Sequence, residues 1–258
     1  MVFRPWDKAE NDQDSMTYSL VIALLGVLSA SALRGFTGFG FGLASVPLLS
    51  LALPPDQVVP LVVVLQVLIG ILGLKDAAKQ CDWPAVFTLF PGLILGVPIG
   101  LMILTTLPPN PVRLVIGAVL LFSVVMIAKG ARLPPNPSRL LSAGVGVASG
   151  TINGLASMGG PPIIVYLLAI GHGTARLRAT SIVYFMLAAL VTAVPMTWRG
   201  LITHDILIWS AASIPALFIG SRLGTWAFHR ARPAHHKATA LLVLTILGVV
   251  LIGRALLG

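Results

Sequence analysis

Charge is what this sequence has least of. Only 10% of its 258 residues are Asp, Glu, Lys or Arg, against roughly 25% in a soluble domain whose surface must be wetted. That shortfall excludes a soluble globule, a disordered segment and a nucleic-acid binder. The net charge of +9 therefore reads as membrane topology and not as a patch for DNA or RNA. There is one cysteine, Cys81, so there is no intrachain disulfide and no paired-cysteine metal or redox motif. Acids are scarce and badly placed for proton chemistry. Asp7, Glu10, Asp12 and Asp14 crowd the start, while Asp56, Asp76, Asp82 and Asp205 fall at the ends of hydrophobic segments. With no carboxylate deep in a span, a proton relay through buried acids is not expected. Residues 1–16 carry more acids than bases, which is the wrong sign for a signal peptide; they read as a polar N-terminal arm. His235-His236 has no carboxylate or cysteine nearby and reads as loop. No metal and no cofactor is expected.

What the chain does have is long apolar runs, 57% hydrophobic residues in all. A helix needs about 20 apolar residues to cross a hydrocarbon core of roughly 30 Å. Val58–Leu74, Pro84–Thr106 and Val112–Ala128 read as single spans, as do Ala179–Trp198, Ile206–Phe228 and Ala238–Leu257. Two runs are too long for one crossing. Straight helices over Tyr18–Leu53 and Leu140–Gly171 would measure about 54 and about 48 Å. Each holds a glycine cluster near its middle: Gly35-Phe-Thr-Gly-Phe-Gly-Phe-Gly42 in one, Gly150-Thr-Ile-Asn-Gly154 with Gly159-Gly160-Pro161-Pro162 in the other. Glycine weakens a helix interior and proline removes a backbone donor. Each run is therefore expected to form a hairpin of two shorter arms that span or turn back within the membrane. Broken backbone at that depth is tolerated only where protein or a wet cavity satisfies its polar groups.

The two halves look alike. A shift of 115 residues lays Gly35 on Gly150, Pro47 on Pro162 and Gln66 on Ser181. Further along, a shift of 124 lays Pro91, Gly96 and Gly100 on Pro215, Gly220 and Gly224. The chain divides into a transmembrane repeat over 17–130, a cytoplasmic linker over 131–138 and a second repeat over 139–258. Five passes per half put Arg34, Lys75, Lys79, Lys129, Arg132, Arg139, Arg176, Arg178, Arg230, Arg232 and Lys237 on one side of the membrane. Only Arg4, Lys8, Arg113, Arg199 and Arg254 fall on the other. Positive residues stay cytoplasmic, so both termini are expected outside. An odd number of passes makes the halves enter from opposite sides. The expected fold is all-α: a polytopic transmembrane helix bundle of two inverted repeats, each opening with a glycine-broken helical hairpin. Secondary transporters with this plan bind substrate near the midplane, where broken helices meet.

The stretches Arg34-Gly-Phe-Thr-Gly-Phe-Gly-Phe-Gly-Leu-Ala-Ser-Val-Pro-Leu-Leu49 and Gly154-Leu-Ala-Ser-Met-Gly-Gly-Pro-Pro-Ile-Ile-Val-Tyr166 resemble the sulfite exporter TauE/SafE family. Chain length and the spacing of the halves fit as well. The resemblance implies an integral membrane carrier, in the cell membrane, for a small sulfur-containing, sulfonate or related organic anion. Phe39 and Phe41 interrupt what is a run of glycines in many members of the family.

Backbone donors carry the chemical case for an anion. A helix that begins inside the membrane presents unpaired N–H groups and a partial positive charge, and such ends bind anions without a charged side chain. Gly38, Gly40 and Gly42 in the first hairpin, and Gly154, Gly159 and Gly160 in the second, are candidates for close approach of a substrate. The competing role is close helix packing. Asn153 lies inside the second break and can bind substrate or cap the following arm. Gln66, Ser181 and Tyr184 are polar groups within spans, with interhelical bonding or packing as their alternative. Arg222 lies within a span, where a charge is costly and commonly functional, although it is near enough to the span's end to snorkel. Arg34 borders the first break. The partners expected are a small anion and the lipid bilayer. Gly92-x3-Gly96-x3-Gly100 offers a small-residue face for a homodimer or for the internal core. An anion channel is the nearest alternative function. An intramembrane enzyme built on Ser157 is the remote one, because its spacing is not that of a nucleophile elbow and His172 falls far from it.

Overall fold

The computed structural model describes residues 20–34, 40–129, 137–171, 173–230 and 233–257. All regular structure among them is helical. α1 (Leu20–Arg34) is followed by α2 (Phe41–Ser50), α3 (Pro55–Gln80), α4 (Trp83–Thr106) and α5 (Pro109–Lys129). The second half holds α6 (Arg139–Ala156), α7 (Gly160–Ala169), α8 (Thr174–Trp198), α9 (His204–Arg230) and α10 (Pro233–Leu257). Four helices are long and apolar enough to cross a membrane, lying in α4, α5, α8 and α9. A fifth is α3, if its two parts, which meet at 69° between Ile71 and Leu74, count as one span. The chain is therefore a multi-pass membrane protein. Large apolar side chains such as Phe87, Leu95, Met102, Phe122 and Trp226 point outward, where lipid is their solvent. The polar arm over 1–16 and most of the linker lie outside the described residues.

Both long runs break at their glycines and fold back. In the second, Ser142 near the start of α6 donates to the hydroxyl of Tyr166 near the end of α7 at 3.0 Å. Had α7 continued in the direction of α6, these residues would lie roughly 36 Å apart. In the first, a side chain at Gly26 of α1 would run into Leu49 of α2, which requires the same reversal. α2 and α7 have ten residues each and so reach only about 15 Å. That is half a hydrocarbon core. The return arms accordingly do not span; they bring the hairpin tips into the interior.

Glycine positions decide which face of each helix turns inward. α4 lies along α6 with backbone against backbone. A Cβ on Gly92, Gly96 or Gly100 would strike the carbonyls of Ala143, Val147 and Thr151, and one on Gly146, Gly150 or Gly154 would strike those of Leu89, Leu93 and Val97. Without a hydrophobic drive between helices in lipid, such close approach is what holds them together. The Gly92/Gly96/Gly100 stripe is thus spent inside the chain, and a homodimer would need another face. α1 sits on α9 in the same way, with Gly220 against the Leu28 carbonyl. Gly70 of α3 receives Met186 of α8, and Gly117 of α5 receives Ile252 of α10.

Polar ties pin the helix ends. Arg176 pairs with Asp82 at 3.5 Å, and Asp82 N–H donates to Thr180 Oγ1 at 3.0 Å. At the other end of α8, Arg199 donates to Thr105 Oγ1 at 3.0 Å. Arg113 of α5 donates to the carbonyls of Ser50 at 2.9 Å and Leu53 at 3.4 Å, and to Asn110 Oδ1 at 2.8 Å. A cation at the C-terminal end of α2 also suits the helix dipole.

Gly96→Ala is expected to lower the thermal midpoint of the detergent-solubilised protein, since overpacking of a closed contact costs about 1–3 kcal/mol. Gly144→Ala, on the α6 that Gly96 packs against but with nothing near its Cβ, should leave the midpoint unchanged or raise it. Equal effects from the two substitutions would remove the glycine contact as the cause.

Candidate functional site

Every α-helix leaves its first N–H groups unpaired, and only some of the starts here carry side-chain caps; α3 and α8, which begin after Pro54 and Gly173, have none. α4, α6 and α9, which begin at helix-to-helix connections, carry side-chain caps. Ala85 N–H donates to Asp82, Leu141 N–H to Ser138 and Ile206 N–H to Thr203. α2 and α7 begin at the hairpin tips and have no side-chain cap. α2 follows Gly40, whose φ of 78° is a left-handed conformation suited to glycine. The first intrahelical bond of α2 runs from Ala44 N–H to the Gly40 carbonyl at 3.1 Å. The helix therefore leaves the N–H groups of Gly40, Phe41, Gly42 and Leu43 free of its own ladder. α7 follows Gly159, but its second and third residues are Pro161 and Pro162, which have no N–H. Only Gly159 and Gly160 have donors to offer there, so the two tips are chemically unequal.

The tips touch. A Cβ on Gly42 would collide with the Ser157 carbonyl and come within 2.7 Å of Gln66 Nε2. Gln66 on α3 donates to that same carbonyl at 3.0 Å, so it ties α3 to the second hairpin's break, beside the first hairpin's opening turn. Ser157 ends α6 with a φ of 52°, and its carbonyl is thereby turned toward α2.

A hydrogen-bonded network backs the second tip. Tyr184 O–H donates to Ser149 Oγ at 3.2 Å, and Ser149 O–H donates to the Gly159 carbonyl at 2.7 Å. Asn153 donates to Thr192 Oγ1 at 2.8 Å and to the Ala188 carbonyl at 3.3 Å. Its amide hydrogens fasten α6 to α8 and do not cap α7. All four side chains are buried, as satisfied polar groups in an apolar interior can be.

The residues singled out in the sequence are distributed unevenly. Gly40, Gly42, Gly159, Gly160 and Gln66 lie at the tips, and Asn153 and Tyr184 lie directly behind them. Gly154 is occupied in packing on α4. Ser181 is buried with no hydrogen-bond partner for its hydroxyl, and no described bond links it to the tips. Arg34, the last residue of α1, is half-buried and near enough to Arg178 for their charges to repel. Arg222 is exposed on α9, apart from the buried tips. Gly38 and His172 lie outside the described residues. Sequence reading missed Ser149 and Thr192. Helical spacing gives the clue to both, because Ser149 is four residues before Asn153, and Tyr184, Ala188 and Thr192 recur every four residues along one face.

Gln66→Leu keeps the bulk but strips the Ser157 carbonyl of its donor, which should cost about 1–3 kcal/mol. A thermal midpoint equal to that of the unmodified protein would show that the bond does not hold the tips together.

The sequence pattern of the family described as "Sulfite exporter TauE/SafE" matches residues 22–251. A relative from Cupriavidus necator described as "Probable sulfite/organosulfonate exporter TauE" is 26% identical over 219 residues, covering 81% of this chain and 86% of the relative. No solved structure gives a significant match. The match spans both hairpins and the helices between them, and the chain belongs to the sulfite exporter TauE/SafE family.

Proposed function

We propose that this protein is a secondary carrier that moves a small sulfur oxoanion or organic anion, such as sulfite or a sulfonate, across the cell membrane. The observation that carries this reading is the pair of uncapped helix starts meeting inside an apolar bundle. Unpaired N–H groups and two like-signed helix ends favour negative charge. Arg34 and Arg178 add positive charge near the first hairpin. The described acids support the same reading by their positions, since Asp56, Asp76, Asp82 and Asp205 all stand at helix ends. The description of the Cupriavidus necator relative, "Probable sulfite/organosulfonate exporter TauE", agrees with the chemistry. Arg222 is left outside this reading because it is exposed.

The inverted duplication is part of the proposal. It is supported by matched pairings: α3 with α8, α5 with α10, and α4 on α6 as α9 is on α1. The element starts favour an offset of 119 across the hairpins (Phe41 to Gly160) over 115. Both return arms have ten residues and both follow a glycine. Gly96 meets the Val147 carbonyl and the Thr151 nitrogen, while Gly220 meets the Leu28 carbonyl and the Ala32 nitrogen, at offsets of 124 and 119. On this alignment Phe185, and not Ser181, corresponds to Gln66. With each hairpin folded back, and with α10 (Pro233–Leu257) counted as a crossing beside α3, α4, α5, α8 and α9, each half has three crossing helices. The halves then enter from opposite sides, and both termini face outward under the positive-inside rule.

Proteoliposome flux with sulfite, sulfate, taurine, sulfoacetate and small carboxylates tests the function. Saturable flux that is accelerated by unlabelled anion on the opposite side is expected. Unitary currents would make it a channel, and failure to move any of these anions would remove the carrier reading. Arg34→Gln should raise KM at least tenfold, from loss of about 1.4 kcal/mol of attraction, with the thermal midpoint little changed.

A further inference from the structure

We propose that the Ser157 hydroxyl is a direct ligand of the transported anion, donating one hydrogen bond to an oxygen held at the opening turn of α2. This rests on the carrier reading above and assigns a further residue to that site. Four observations meet at this side chain. Ser157 is 2% exposed. Its hydroxyl has no hydrogen-bond partner among the described residues, although buried hydroxyls are normally paired. Its backbone sits at φ 52°, the one left-handed non-glycine conformation among the described residues. The first turn of α2 lies against it, so that a Cβ on Gly42 would stand 3.0 Å from the Ser157 carbonyl carbon.

These facts need a common cause. A left-handed turn at the end of a helix is met at least cost by glycine. Glycines surround this one at positions 154, 159 and 160, and serine still stands at 157. Strain of this kind persists where the neighbourhood holds it in place for a purpose. Gln66 holds it by binding the carbonyl, and this leaves the hydroxyl as the free group. Met158 and Ala156 on either side are fully buried and apolar, so they supply no donor. The nearby unpaired groups are the N–H donors of α2's first turn, and these cannot accept the serine proton. An anion oxygen can accept from both. The site selects for a small solute with several acceptor oxygens, as in sulfite and the sulfonates. A halide, a single sphere, cannot divide its acceptance over the spread donors as effectively.

Ser157→Gly is the decisive variant, because it removes the hydroxyl and relieves the backbone at the same time. Its thermal midpoint should equal or exceed that of the unmodified protein. Its KM for sulfite flux in proteoliposomes should rise at least tenfold, and stabilisation by sulfite in a thermal-shift titration should need correspondingly more sulfite. Ser157→Ala should lose affinity in the same way, without the backbone relief that glycine brings to the midpoint. Unchanged KM and unchanged sulfite titration in a folded Ser157→Gly protein would overturn the assignment while leaving the carrier intact. If the unmodified protein neither moved nor bound any anion of the flux panel, both the carrier reading and the ligand assignment would fall.

Discussion

A polypeptide inside hydrocarbon must pair its own N–H and C=O groups, because no water is there to do it. α4, α6 and α9 answer that constraint at their starts with side-chain caps. Of the starts without one, α3 and α8 lie at connections between helices, and two lie at hairpin tips: the openings of α2 and α7. Because the rule is so costly to break, the two exceptions define the molecule. They explain why small residues crowd the neighbouring faces and why α3 reaches across with Gln66. They also explain why a polar network stands behind the second tip in an otherwise oily interior.

The energetic support for these exceptions lies away from them. The extended glycine contacts between α4 and α6 bring main chains together and fix the long arm of the second hairpin. α9 does the same for the first through Gly220. Such contacts gain dispersion and avoid side-chain ordering. Few side-chain bonds cross between the tips themselves, so the long helices provide the rigidity around the breaks.

Much of this was legible in the chain. Run lengths located the crossing helices, and two overlong runs with central glycines located both hairpins. Gln66, Asn153 and Tyr184 stood out as polar residues in apolar spans and all lie at or beside the tips. Other features were hidden for physical reasons. A helix shifted by four residues presents nearly the same face, so matching glycines and prolines alone gives an offset of 115 where element starts favour 119. Arg222 stood out equally as a polar residue in a span, yet it is exposed. When lipid coats one face and protein the other, both are apolar, and hydropathy does not say which way a residue points. The glycine stripes do carry that information, since only a face that meets another backbone needs them. The difference between the tips follows from Pro161-Pro162, once the start of α7 is known to fall at Gly160.

Arg113 has a mechanical consequence. By clasping the carbonyls of Ser50 and Leu53 it fixes the far end of α2 to α5, while the near end at Gly40 has no such fastening. Among the described residues, α2 is therefore held by side-chain hydrogen bonds at its C-terminal end and by none at its start. Over about 15 Å, a tilt of about 10° at the arginine carries the glycine end roughly 2.5 Å. That travel is comparable to a hydrogen-bond length, so a small rocking at one rim suffices to part the two hairpins at the centre.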